Sequence, residues 1–265
     1  MSARNENPLR GRTALVTGAS SGLGAAFARE LASRGCNLVL VARREDLLRQ
    51  HAAELGAAHG VAASVVALDL GARDAPQALY DRLAAEGVAV DVLVNNAGFG
   101  LYGPFLRIDW ERERAMLELD IVALVHLTKL FARDMVARDF GYLLHVASIG
   151  AYQPSPLYAS YAASKAFVLS FGEALSYELR RTNVRSTVVS PGVTATEFFQ
   201  VAGQRPTLYQ RLTMMSSAQV ARAGVEAMLR GKPSVVVGRF NALGAFTMRL
   251  MPRRLQAAIA ELTMR

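Results

Sequence analysis

The sequence predicts an α/β fold: a doubly wound, seven-stranded parallel sheet with helices on both faces, plus a C-terminal helical extension. Three observations predict it. Seven short runs rich in Val and Leu recur along the chain, apolar at successive positions, as strands covered on both faces are. Longer stretches with helical spacing of apolar residues separate them. The chain has 265 residues, 52% apolar and 20% charged, enough to bury a core of that size in one domain over 1–265.

The predicted strands are Thr13–Thr17, Asn37–Val41, Ser64–Leu68, Val90–Val94, Tyr142–Ala147, Arg185–Val189 and Ser234–Val237. The predicted helices are Leu23–Ser33, Glu45–Leu55, Ala75–Ala85, Trp110–Ala137, Ala159–Arg181 and Ser217–Leu229. Ligands of such sheets bind beyond the carboxyl ends of the strands, so the loops that leave the strands are where chemistry is expected.

The first strand runs into Thr17-Gly18-Ala19-Ser20-Ser21-Gly22-Leu23-Gly24 and then into a helix. Glycines let the backbone turn tightly and approach a diphosphate, and the helix N-terminus offers unpaired N–H groups to it. That context makes the fold Rossmann-like. A second glycine pattern, Gly98, Gly100 and Gly103, is followed by Pro104 and Phe105 with no helix opening, and is read as turn glycines. After the second strand, where an NAD binder usually carries a carboxylate for the ribose hydroxyl, the chain has Ala42-Arg43-Arg44. A guanidinium fork suits a 2′-phosphate, so NADP(H) is the favoured cofactor. For Arg44 a solvated position at a helix start remains the alternative.

Tyr161 and Lys165 lie four apart on a predicted helix and so share a face. An ammonium beside a phenol favours the phenolate, and a tyrosine so tuned exchanges a proton with a carbonyl or alcohol oxygen. The chain holds three lysines against 27 arginines, which makes a lysine at this spacing informative. Ser148 follows the fifth strand and can hydrogen-bond a carbonyl oxygen; a turn or cap role is its plain alternative.

Together these residues resemble the short-chain dehydrogenase/reductase family in its compact branch. The matches are Thr17–Gly24, Asn95-Asn96-Ala97-Gly98, Ser148, Tyr161-x-x-x-Lys165 and Pro191-Gly192, in the family's order over about residues 10–238. The resemblance implies Tyr161 as acid/base. It implies Lys165 as the group that lowers the tyrosine's pKa and binds the nicotinamide ribose, and Ser148 as the group that positions the carbonyl. It places Gly18, Ser20, Ser21, Gly22, Leu23 and Gly24 at the diphosphate, with Arg43 and Arg44 at the 2′-phosphate. Asp69 and Leu70 are implied at the adenine, Asn95, Ala97 and Gly98 along the cleft, and Thr194 and Thr196 by the carboxamide and diphosphate. One position departs. Where the family has an asparagine in its fourth helix, this chain has Asp120. A carboxylate there can pair with Lys165 and weaken its pull on Tyr161.

The expected activity is NADP(H)-dependent interconversion of a carbonyl and an alcohol on a medium-sized apolar ketone or aldehyde. The alternative is an NADP(H)-binding sensor or scaffold with little turnover. Residues 193–216, with Phe198, Phe199, Val201, Leu208, Tyr209, Met214 and Met215, read equally as a lid or as a packed segment. Family likeness implies a homodimer or homotetramer through the two long helices.

The formal charge of +8 is unevenly placed. Residues 1–12 carry three Arg and one Glu, and residues 239–265 carry five Arg and one Glu, which leaves the body near neutral. No nucleic-acid partner is expected from that pattern. The scattered histidines show no metal-ligand spacing, and the single cysteine, Cys36, points to a reducing compartment. Residues 141–164 lack charged side chains but contain Pro154, Pro156 and several hydroxyls, so they are not read as a membrane span. The protein is expected to be cytoplasmic. Leu255, Ala258, Ile259 and Leu262 form one apolar face of the basic tail. Two roles stay open for it: a helix packed on the body, a second subunit or the cleft, which is preferred, and a peripheral membrane contact.

Overall fold

The computed structural model describes residues 7–207, 210–211 and 213–264. Seven parallel strands form one sheet: β1 Thr13–Thr17, β2 Asn37–Ala42, β3 Ala63–Ala67, β4 Val92–Asn95, β5 Gly141–Val146, β6 Val184–Ser190 and β7 Ser234–Val236. Their spatial order is β3-β2-β1-β4-β5-β6-β7. The direction of winding reverses between β1 and β4, so the crevice for a ligand opens at the carboxyl ends of those two strands.

The strands are apolar on both faces because both faces are covered. Ala14 and Val16 of β1 pack with Phe27 and Leu31 of α1 (Gly22–Ser33), Leu48 of α2 (Glu45–His59) and Val225 of α8 (Ser217–Leu229). Leu15, between them, points the other way. It packs with Leu79 and Leu83 of α3 (Ala75–Ala85) and with Leu127 and Phe131 of α5 (Leu124–Ala137). Period-two alternation of the side chains thus feeds two cores. Cys36 lies in the first of them, buried, with its thiol pushed up to about 12 by desolvation first and then by Asp91.

Sequence and structure differ in three places. The fourth predicted helix is not continuous. It is α4 (Trp110–Leu117), a π-helical turn over Glu118–Ala123, and then α5. The π turn carries Asp120, which no pattern of apolar residues marks. The helix Ala159–Arg181 is α6 (Ala159–Glu178) closed by a 3₁₀ turn over Leu179–Arg181. Beyond the last strand come α9 (Arg239–Met248) and α10 (Arg253–Met264), with a short α7 (Phe198–Ala202) before α8. Among the described residues no helix is long and apolar enough to cross a membrane. No cluster of three or more His, Cys, Asp or Glu stands ready for a metal among them either.

Candidate active site

A cleft of about 600 Å³ opens at the crevice between β1 and β4. The glycine loop forms its floor. Gly18 and Gly22 have φ of +67° and +55°, values that favour glycine. A Cβ on Gly24 would meet the Gly18 carbonyl oxygen at 2.1 Å, so this position packs α1 against the loop and does not line the cleft. The first turn of α1 carries no acidic residue, and its cap Ser21 makes no side-chain cap bond. The helix end therefore stays open to an anion.

Thr17 and Asn96 tie the two loops of the crevice together. The Asn96 and Ala97 N–H groups both donate to Thr17 Oγ1 at 2.9 Å, and Asn96 Nδ2 donates to the Thr17 carbonyl at 2.8 Å. Asn96, Ala97 and Gly98 line the cleft. Asn95, expected there, does not. It is the last residue of β4, and its side chain points into the core, where Nδ2 donates to Thr128 Oγ1 at 2.8 Å. Strand alternation sends neighbours to opposite sides, so Asn95 and Asn96 face different surroundings.

At one end of the cleft lie Ser20, Arg43, Arg44, Asp69 and Leu70. Arg44 is not merely solvated. Its Nη2 donates to Ser20 Oγ at 3.1 Å, to Ser21 Oγ at 2.6 Å and to Glu197 Oε2 at 3.1 Å. Ser21 Oγ also donates to Glu197 Oε2, at 3.0 Å. The bonds from Arg44 and then Ser21 pull the Glu197 carboxyl below its ordinary range. A carboxylate thus sits at the guanidinium and hydroxyls expected to receive a phosphate. Glu197 escaped the sequence analysis because it belongs to no motif and lies 153 residues from Arg44.

At the other end stand Ser148, Tyr161 and Lys165, all lining the cleft. Ser148 lies two residues past β5, at the cap of a 3₁₀ turn (Ile149–Tyr152), and accepts the Gly150 N–H at 3.1 Å, so its cap role and its place in the cleft coexist. Tyr161 and Lys165 project from the first turns of α6. The lysine is buried, donates to the Val146 carbonyl at 3.4 Å and pairs with Asp120 Oδ2 at 3.2 Å. Asp120 is fully buried beneath the cleft. Its Oδ1 accepts the Phe99 N–H, and its Oδ2 accepts the Ser164 hydroxyl, both at 3.1 Å.

The pairing of Asp120 with Lys165 is the one expected from sequence, while the tyrosine differs from the lowering that the resemblance implied. Burial first, and the Asp120 carboxylate second, push the Tyr161 hydroxyl up, while a hydrogen bond with Ser148 pulls it down. Burial also raises Asp120, against the pull of Lys165. Lys165 pairs with Asp120, and the tyrosine is raised, not lowered. A raised phenol stays protonated at neutral pH but is a weaker acid than one lowered by an ammonium alone.

The substrate end is aromatic. Phe198 of α7 packs on Tyr161 and Tyr158, with ring centres 5.2 Å and 6.2 Å away. Tyr158 donates to Gln204 Oε1 at 2.7 Å, and Gln204 Nε2 donates to the Met264 carbonyl at 2.9 Å. Met264 itself lines the cleft. The last helix thus reaches the site, one of the places open to it from sequence. Within 193–216, Phe198, Phe199 and Val201 line the cleft, and Thr194 bridges to Met215; Leu208 and Tyr209 lie outside the described residues. Thr194 and Thr196 line the cleft as expected, and a Cβ on Gly22 would meet the Thr196 methyl at 3.1 Å. Gly98 and Gly100 are close-approach positions: added Cβ atoms would meet Asp120 Oδ1 and the Phe198 ring, each at 2.6 Å.

A sequence model of the short chain dehydrogenase family matches residues 12–206. Among solved structures, a 7beta-hydroxysteroid dehydrogenase is 25% identical with a TM-score of 0.85, covering 95% of this chain and 97% of that one. A short-chain dehydrogenase from Sphingobium yanoikuyae in complex with NADPH is 30% identical with a TM-score of 0.79, covering 91% and 94%. A short-chain dehydrogenase/reductase from Burkholderia phymatum in complex with NAD is 26% identical with a TM-score of 0.80, covering 90% and 92%.

Proposed function

The chain belongs to the short-chain dehydrogenase family of oxidoreductases, and on that premise we propose that it interconverts a carbonyl and an alcohol with NADP(H), acting on an apolar ketone or aldehyde. The observation that carries this is the convergence of Ser148, Tyr161 and Lys165 on one cleft whose other end holds the glycine loop, Arg43 and Arg44. The residues fit a dinucleotide. Gly18, Gly22 and the open end of α1 would hold the diphosphate, with Thr196 beside them. Arg43, Arg44 and Ser20 would hold a 2′-phosphate, and Asp69 and Leu70 would border the adenine. Lys165 and Thr194 would meet the nicotinamide half. When bound, the nicotinamide supplies or takes the hydride.

The chain's own residues do the rest. Ser148 donates a hydrogen bond to the carbonyl oxygen and supports the charge that develops there. Tyr161, protonated at neutral pH, gives that oxygen its proton. Lys165 offsets the phenolate left behind. Phe198, Phe199, Tyr158 and Met264 enclose the substrate and exclude water, and an aromatic wall of this kind selects an apolar body. The hydroxysteroid relative of high structural similarity supports that choice. Exposed Val136 on α5 and Phe167 and Tyr177 on α6 support self-association through the long helices.

NADPH oxidation with a panel of apolar ketones and aldehydes, repeated with NADH, tests the assignment. Tyr161→Phe lowers kcat/KM by about 10³-fold while NADPH still binds. The paired state of Lys165 favours one second reading, a cofactor-binding sensor. NADPH binding without turnover across the panel, unchanged in Tyr161→Phe, would decide for the sensor.

A further inference from the structure

The apolar face of the last helix is turned outward. Sequence spacing puts Leu255, Ala258, Ile259 and Leu262 on one stripe, and a packed helix would bury it. Instead α10 seats Gln256 and Ala260, while Leu255 is 50% and Leu262 79% exposed. The helix does pack on the body and reaches the cleft at Met264, two of the places open to it from sequence, but it packs through Gln256 and Ala260 and not through its leucines. The helix is not loosely placed. Gln256 Nε2 donates to the Met248 and Met251 carbonyls at 2.7 and 2.9 Å, and the far end is held by Gln204 and Tyr102 through the Met264 carbonyl. Inward polar anchors fix the apolar side to solvent.

The preceding helix does the same. On α9, Ala245 is buried, while Phe240 is 92%, Leu243 60% and Phe246 58% exposed, and Leu250 in the following turn is 75% exposed. Three-residue spacing places Phe240, Leu243 and Phe246 on one side, within an arc of about 120°. A monomer does not ordinarily leave that many large apolar groups in water without a partner.

Charge decides which partner. Arg239, Arg249, Arg253 and Arg254 are all exposed in this segment, and from 239 to 264 its sole acidic residue is Glu261. A second copy docking through a twofold axis would bring two patches of the same positive charge together. An anionic lipid surface offers both what apolar side chains and what arginines need.

We propose that α9 and α10 dock the enzyme on an anionic phospholipid surface, with Phe240, Leu243, Phe246, Leu250, Leu255 and Leu262 entering the acyl boundary and the arginines meeting headgroup phosphates. Met264, at the end of α10, is a wall of the cleft. The docking surface therefore adjoins the cleft.

The test is co-sedimentation of the full chain with phosphatidylglycerol–phosphatidylcholine vesicles and with phosphatidylcholine alone. Each arginine near an anionic surface is worth about fivefold in partitioning, so Arg239→Gln/Arg253→Gln/Arg254→Gln lowers binding on the order of 100-fold. Phe240→Ser/Leu243→Ser/Phe246→Ser abolishes pelleting as well, and both triple variants keep the wild-type far-ultraviolet spectrum and the wild-type mass by light scattering. Failure of the wild type to pellet with anionic vesicles overturns the proposal, as does equal pelleting of the variants. Dissociation of an oligomer by the Phe/Leu variant also overturns it, because a second copy then covers this face.

Discussion

Replacing Asp120 by Asn tests how the buried charges govern the tyrosine. The substitution keeps the shape and an acceptor oxygen for the Phe99 N–H, and it removes one negative charge. Lys165 Nζ then stands unpaired, 5.7 Å from the centre of the Tyr161 ring. At an effective dielectric of about 20, a unit charge at that separation favours the phenolate by about 3 kcal/mol, or about 2 pKa units. The sign is fixed by the charges: the carboxylate now raises Tyr161, and its loss leaves the pull of the nearby ammonium unopposed. The assay is kcat/KM for alcohol oxidation against pH at saturating cofactor. The limb that follows Tyr161 ionisation moves about 2 units to lower pH in Asp120→Asn. Below that limb, oxidation accelerates about tenfold for each unit moved. Profiles that superimpose, with cofactor binding intact, would refute the reasoning and leave Asp120 as a packing residue under Gly98.

Two further outcomes follow from the structure. Glu197→Gln removes the carboxylate that Arg44 and Ser21 now hold, so NADPH no longer has to displace it. From the usual strength of an exposed pair, its KM falls about two- to fivefold. The KM for NADH, which brings no 2′-phosphate, stays put, and equal changes for both cofactors would count against competition at that site. His145, fully buried in β5 with Nδ1 at 3.2 Å from Asn95 Nδ2, is lowered to about 4 by burial. The unfolded chain takes up this proton near 6.5, so stability present above that pH is lost as pH falls toward 4. The loss amounts to about 3 kcal/mol at most. Urea titrations at pH 7 and pH 4.5 measure it, and His145→Gln flattens the difference; a slope that persists in the variant assigns it to other groups.

The architecture was legible because its signal is local. Buried parallel strands are short apolar runs, and helices between them repeat at their own period, so all seven strands fall within a few residues of their predicted bounds. Thr17–Gly24 and Tyr161-x-x-x-Lys165 were legible for the same reason: a turn after a strand, and two side chains one helical turn apart, are fixed by neighbours in sequence. The departure at Asp120 was legible as a residue but not as a geometry. A π turn depends on how α4 and α5 meet the rest of the molecule, and apolar spacing carries no trace of it.

What only the tertiary structure decided are the encounters between distant segments. Asn95 and Asn96 look alike in sequence, yet strand alternation sends one to the core and one to the cleft. Glu197 meets Arg44 because the loops that leave β2 and β6 converge over the carboxyl ends of the strands. Met264 reaches the cleft through hydrogen bonds to Tyr102 and Gln204, which no periodicity records. The apolar stripe of the last helix is plain in the sequence, and its direction is not. Gln256 and Ala260 face inward because carbonyls at the end of α9 bind the glutamine amide, and that choice turns the leucines to the outside.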